Sequence, residues 1–130
     1  MKRYLSFIVF LMFSNTAMAE WVLIGSVDEF DLYVDTTTIR KNGNLVKMWE
    51  LKDYKTGQNT QDGVYLSKKV QHEYDCRNET DRLLALVAYS GNMGSGKVIS
   101  SFTVNEYQSP AHPIVPGTVG VVLWKIACGQ

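Results

Sequence analysis

The chain has 130 residues, 45% of them hydrophobic, with 13 basic and 13 acidic side chains. That length suits one domain around one core. Formal neutrality gives no basic footprint for nucleic acid or for an anionic membrane surface.

In chain order, the first element is an address. Lys2 and Arg3 make a positive start, residues 5–13 are apolar apart from Ser6, and Ala17-Met18-Ala19 is the small-x-small pattern read by a signal peptidase. So short an apolar run cannot cross a hydrocarbon core of ~30 Å as a helix. The expectation is a cleaved signal peptide, residues 1–19, and a mature domain, residues 20–130. Losing Lys2 and Arg3 leaves 11 basic residues against 13 acidic ones, a net charge of −2. No cysteine stands near the cleavage site, so no lipid anchor is evident. No later segment is long and apolar enough to span a membrane.

Short β-rich runs then alternate with turn signals. Residues 21–26 and 30–34 read as strands. Asp35-Thr36-Thr37-Thr38 reads as a capped turn, because Asp and Thr oxygens accept from backbone amides two or three residues on. Asn42-Gly43-Asn44 signals a hairpin into a strand over 45–54, and the polar residues 56–63 read as a loop. In the next strand Val64, Leu66, Val70, Tyr74 and Cys76 share one parity, interrupted by Lys68 and His72, while Ser67, Lys69, Gln71, Glu73 and Asp75 share the other. Such alternation means one buried and one wet face, which antiparallel sheets tolerate. Residues 83–89 are apolar on both parities, as in a central strand, and alternation returns over 98–107.

Gly91 to Lys97 begins the pattern G-x-x-x-x-G-K-[S/T] of a phosphate-binding loop. The next residue is Val98, so the hydroxyl that would hold magnesium is missing. A true phosphate loop opens a helix, whereas residues 98–104 are β-branched and alternating. An exported protein also meets no standing supply of ATP. The glycines serve a hairpin, supplying positive φ, and no nucleotide is expected.

Pro110, Pro113 and Pro116 break regular structure before the apolar residues 118–128. Valine and glycine there favour a strand. Thr118 as N-cap, with Val121, Trp124 (or Lys125) and Cys128 at helical spacing, favours a helix. Local signals leave the two even. Cys76 and Cys128 are the only cysteines, and in an exported chain the default for such a pair is a disulfide, closing a loop of about 50 residues worth about 3–4 kcal/mol. A metal-binding thiol pair is the competing reading, without CxxC spacing or a His cluster to support it.

The ordered landmarks Tyr33-Val34-Asp35 with Ile39, Trp49, Ser67, Tyr74-Asp75-Cys76, Met93-Gly94-Ser95-Gly96, Pro116-Gly117-Thr118 and Ile126-Ala127-Cys128 resemble the surface-adhesin protein E family of small exported bacterial proteins. The resemblance implies an α+β fold, a single bent antiparallel sheet of about six strands with a C-terminal helix packed on one face. It also implies that Cys76–Cys128 ties that helix down. It further implies homodimerisation and adhesion to host matrix or plasma proteins without catalysis. The namesake type is a surface lipoprotein, basic just upstream of the long strand, where this chain has Asp62-Gly63.

Chemistry is sparse. His72, on the apolar parity, can be a general base or a structural, half-buried histidine, and the structural reading is preferred. His112 sits between prolines in a loop. Two histidines without a shared motif suggest no catalytic set, no metal site and no cofactor. Lys68 and Lys69 can meet an acidic patch on a partner or guard a strand edge. Tyr65 joins Trp49, Tyr89 and Tyr107 as a candidate interaction aromatic, with core packing preferred for Trp49. The candidate binding residues are therefore Lys68, Lys69 and Tyr65. The expected function is an exported, non-catalytic, adhesin-like domain with a protein partner. The alternative is a soluble periplasmic inhibitor or chaperone-like factor acting on another protein.

Overall fold

The computed structural model describes residues 19–105 and 107–130, so the expected signal peptide up to residue 18 lies outside the described residues. The strands are β1 (Val22–Ser26), β2 (Phe30–Asn42), β3 (Leu45–Thr60), β4 (Gly63–Asp75), β5 (Thr80–Tyr89), β6 (Val98–Thr103) and β7 (His112–Pro113), followed by one helix, α1 (Val119–Cys128). Strands β1 to β6 pair in sequence order, all antiparallel, and β7 adds to β5. Each of the five neighbouring pairs carries a register shift. Extra residues in a ladder bend the strand that carries them.

Two expected breaks turn out to be bulges. Asp35 does accept from the Thr37 amide at 3.0 Å, and Thr38 Oγ1 donates to the Asp35 carbonyl at 2.6 Å. The strand nevertheless continues, because Trp49 N–H donates to Thr38 Oγ1 at 3.0 Å and restores the ladder to β3. The polar residues 56–60 likewise belong to β3, pairing with β4 after a shift between Asp53 and Gln58. Only Gln61 and Asp62 turn the chain there. At the other end, β6 stops at Thr103, and Val98 and Phe102 are exposed because β6 is an edge strand.

One face of the sheet packs on α1. Leu32 and Val34 of β2, Val46 and Met48 of β3, and Tyr74 of β4 form one cluster with Leu123, Trp124 and Ala127. Burying Leu123 alone contributes about 2 kcal/mol, and this burial outweighs the strand preference of the valines. The apolar stripe is rotated from the expected one: Leu123, Trp124 and Ala127 are buried, while Val121 and Cys128 flank them half-buried. Trp124 Nε1–H donates to the Asp75 carbonyl at 2.9 Å. Cys76 and Cys128 are joined, with sulfurs 2.03 Å apart. Gly129, at φ 73°, ends the helix, with Gln130 N–H bonded to Lys125 O at 2.8 Å, a Schellman arrangement. Thr118 stands at the N-cap position, yet its hydroxyl donates to the Val115 carbonyl at 2.7 Å and caps no amide.

The opposite face is crossed by the loop at residues 91–96. Fully buried Ser67 donates to the Gly91 carbonyl at 2.6 Å and accepts from the Gly94 amide at 2.8 Å. Asp53 accepts from the Met93 amide at 2.8 Å and the Asn92 side chain at 3.0 Å. The amides that a phosphate loop would offer to a ligand are thus taken by the protein's own oxygens.

Candidate functional site beneath the start of the helix

Along β3 the helix-facing parity is Val46, Met48, Glu50, Lys52 and Tyr54, so two charges interrupt an apolar stripe. Register sets Lys52 opposite Lys68 and Glu50 opposite Val70. The first turn of α1 covers this region only in part. A cavity of about 340 Å³ remains, with Leu32, Val70, Leu83, Leu86 and Leu123 as its apolar wall. Glu50, Lys52, Lys68, His72 and Asp81 are its polar lining.

Glu50, 3% exposed, is the hub. It accepts the Tyr74 hydroxyl and holds His72 Nδ1 at 2.7 Å. Burial pushes His72 down, but the hydrogen bond and charge of Glu50, helped by Asp81, outweigh it and leave His72 above its ordinary value. Burial first, then the charge of Glu50, drives Tyr74 well up, so it stays a neutral donor. Burial and then the charge of Lys68 push Lys52 down. Neither Lys52 nor Lys68 lies within ion-pair distance of a carboxylate among the described residues. Instead Lys52 Nζ sits 4.9 Å from the Phe30 ring centre and Lys68 Nζ 5.9 Å from that of Tyr54. Tyr54 in turn packs 5.5 Å from Phe30 and 5.6 Å from Tyr65. A lysine–aromatic cluster therefore adjoins the cavity.

Of the sequence-predicted binding residues, Lys68 and Tyr65 meet through Tyr54. Lys69 does not join them: it lies over Tyr89 at 5.0 Å and Trp21 at 5.8 Å, against Gly94 of the loop on the other face. Nor do the two lysines guard an edge, since β4 lies between β3 and β5. Trp49 is half-buried, lining an open hollow beside Asp35 and Gln71, where core packing was expected. Tyr107 is 89% exposed, and His112 is exposed in β7. His72 is half-buried, with its side chain 27% exposed. Sequence reasoning missed Glu50 and Lys52, although two charges on an otherwise apolar parity were a visible signal.

A histidine held by a carboxylate is the orienting half of a general base. The cavity lining supplies no serine, threonine or cysteine for it to activate. No group of three His, Cys, Asp or Glu side chains among the described residues is placed to hold a metal ion.

The family model for surface-adhesin protein E matches residues 21–129. The chain belongs to the surface-adhesin protein E family. Its fold is similar to solved structures of Haemophilus influenzae protein E. Crystal form II gives a TM-score of 0.59 at 13% identity, covering 83% of this chain and 96% of that one. A second structure of that protein gives 0.60 at 12% identity, covering 84% and 93%. No curated protein matches the sequence. At these identities the likeness to protein E is one of fold.

Proposed function

We propose that the mature chain is an exported, non-catalytic protein-binding domain of adhesin type, with a host matrix or plasma protein as its partner class. Membership of the surface-adhesin protein E family over residues 21–129 is the observation that carries this reading. The lysine–aromatic cluster supports it, since lysines without a carboxylate partner beside tyrosines suit an acidic, partly apolar protein surface. Lys68 and Tyr65 are the proposed contact residues on that side. Lys69, on the other face, belongs to a separate contact or to the packing of the loop. No helix among the described residues is long and apolar enough to cross a membrane. Export by cleavage of residues 1–19, and homodimerisation, are parts of the proposal, tested by N-terminal sequencing and by sedimentation equilibrium. Binding of the mature protein to immobilised matrix and plasma proteins tests the function. Saturable binding, weakened about tenfold or more by combined Lys68→Glu and Tyr65→Ala, is the expected result. Absence of saturable binding to every protein tried would remove adhesion.

A second reading, a soluble periplasmic inhibitor or chaperone-like factor, is favoured by the cysteines. Both are used in the Cys76–Cys128 bond, so neither is available to carry a lipid. Fractionation of cells expressing the precursor separates the two: confinement to the periplasm supports the second reading, accessibility on intact cells the first.

A further inference from the structure

Asp35 is 2% exposed, yet no cationic side chain among the described residues lies within ion-pair distance of it. One carboxylate oxygen accepts the amide and hydroxyl of Thr37, and the other accepts the backbone N–H of Glu20 at 3.1 Å. Arg40 lines the same hollow, but its guanidinium donates to the carbonyls of Thr37 and Ile39, both at 2.9 Å. Trp49 from β3 and Gln71 from β4 complete the surroundings and carry no charge. A buried carboxylate whose partners are all neutral is an expensive arrangement. Ala19 and Glu20, immediately above it, are exposed.

We infer that Asp35 is a built-in receptor for the new N-terminus created when the chain is cut between Ala19 and Glu20. The inference rests on the cleavage site read from Ala17-Met18-Ala19. Hydrolysis of that peptide bond leaves a carboxylate on the departing Ala19 and an α-amine on Glu20, which takes up a proton near neutral pH. The nitrogen that donates to Asp35 as an amide in the precursor thereby becomes an ammonium at the same place. Processing turns a neutral hydrogen bond to a buried carboxylate into a charged one, which is shorter and stronger. Maturation would therefore tighten the attachment of the N-terminal residues to the bulge in β2, beside Trp49.

Four proteins test this: the exported chain beginning at Glu20, a chain retaining Met18 and Ala19, and the Asp35→Asn form of each. Mass spectrometry of the exported protein should find Glu20 first. At neutral pH the chain beginning at Glu20 should melt about 4 °C or more above the longer one, and Asp35→Asn should abolish the gap. The gap should also close as pH rises and the ammonium loses the proton that Asp35 helps it hold. Amine-labelling reagents should modify Glu20 about tenfold more slowly than the same residue in Asp35→Asn, or in an unstructured peptide should that variant not fold. A native first residue other than Glu20, equal melting of the two Asp35 chains, or a labelling rate equal to that of the peptide would overturn the inference.

Discussion

On one face of the sheet α1 buries Leu123, Trp124 and Ala127 against Leu32, Val34, Val46, Met48 and Tyr74. On the other, the loop at residues 91–96 is held by Ser67 and Asp53 through hydrogen bonds to Gly91, Asn92, Met93 and Gly94. Apolar burial is strong but non-directional, so the helix is fixed in place by two added devices, the Trp124 indole on Asp75 and the disulfide. Hydrogen bonds are individually modest but directional, so the loop needs no covalent clamp and depends on a few atoms. The first face should resist single contacts being lost and fail when its tether is cut. The second should fail locally, one bond at a time.

Cutting the tether is the largest expected effect. Cys76→Ser or Cys128→Ser should lower the unfolding free energy by about 2–5 kcal/mol, the usual range for a small exported domain. Urea titrations of the oxidised wild type and of each variant measure it. Limited proteolysis should cut first between residues 109 and 117, the proline-containing connection to α1. An unchanged midpoint would mean that apolar packing alone holds the helix.

Removing one atom from the polar face comes next. Ser67→Ala deletes the hydroxyl that serves both Gly91 and Gly94 and should cost about 1–3 kcal/mol, because buried partners are left unmatched. Hydrogen exchange should accelerate at the Gly94 amide while the amides of α1 stay protected. Faster exchange in both places would show that the faces are coupled and break the comparison.

How far the sequence discloses each face follows from the same contrast. The parity of Val70 and Tyr74 was visible, and so was the disulfide, because side-chain period and cysteine count are local properties. The helix stripe was read in part: Trp124 faces inward as expected, but Leu123 and Ala127 are buried beside it where Val121 and Cys128 were expected. Val121, Trp124 and Cys128 are helically spaced, but packing on residues distant in sequence and the Trp124–Asp75 bond decide which residues turn inward. At the candidate site, His72 stood out on its strand and Glu50 was visible as a charge on an apolar parity, but their pairing was not. The pairing joins residues 22 positions apart, on different strands. Asp35, Thr37 and Thr38 carried the expected turn chemistry, yet only the Trp49 amide opposite decides that it makes a bulge rather than an end.

The buried charge pair below the helix should give a pH effect of intermediate size. Because Glu50 holds His72 above its ordinary value, the pair stabilises the fold fully below the unfolded histidine value of 6.5. That stability is lost as pH rises through the higher folded value. His72→Gln should flatten the stability profile in that window, and chemical denaturation across pH reads it. A wild-type profile already flat there would remove the charged pair from the account.

The smallest effect belongs to Thr118. Replacing an N-cap threonine by alanine commonly costs about 0.5–2 kcal/mol, because its oxygen accepts from an amide of the first turn. Here the residue occupies the position without making that bond: its hydroxyl donates to Val115 instead. Thr118→Ala should therefore cost under about 0.5 kcal/mol, within the range of ordinary surface substitutions. Introducing Asp at the same place should stabilise, since a carboxylate both accepts first-turn amides and complements the helix dipole. Thermal melts of the two variants, run in the oxidised protein, give the answer. A loss above about 1 kcal/mol on Thr118→Ala would mean that the hydroxyl turns to cap the helix in solution. The start of α1 would then owe its stability to directional bonding, as the loop on the opposite face does.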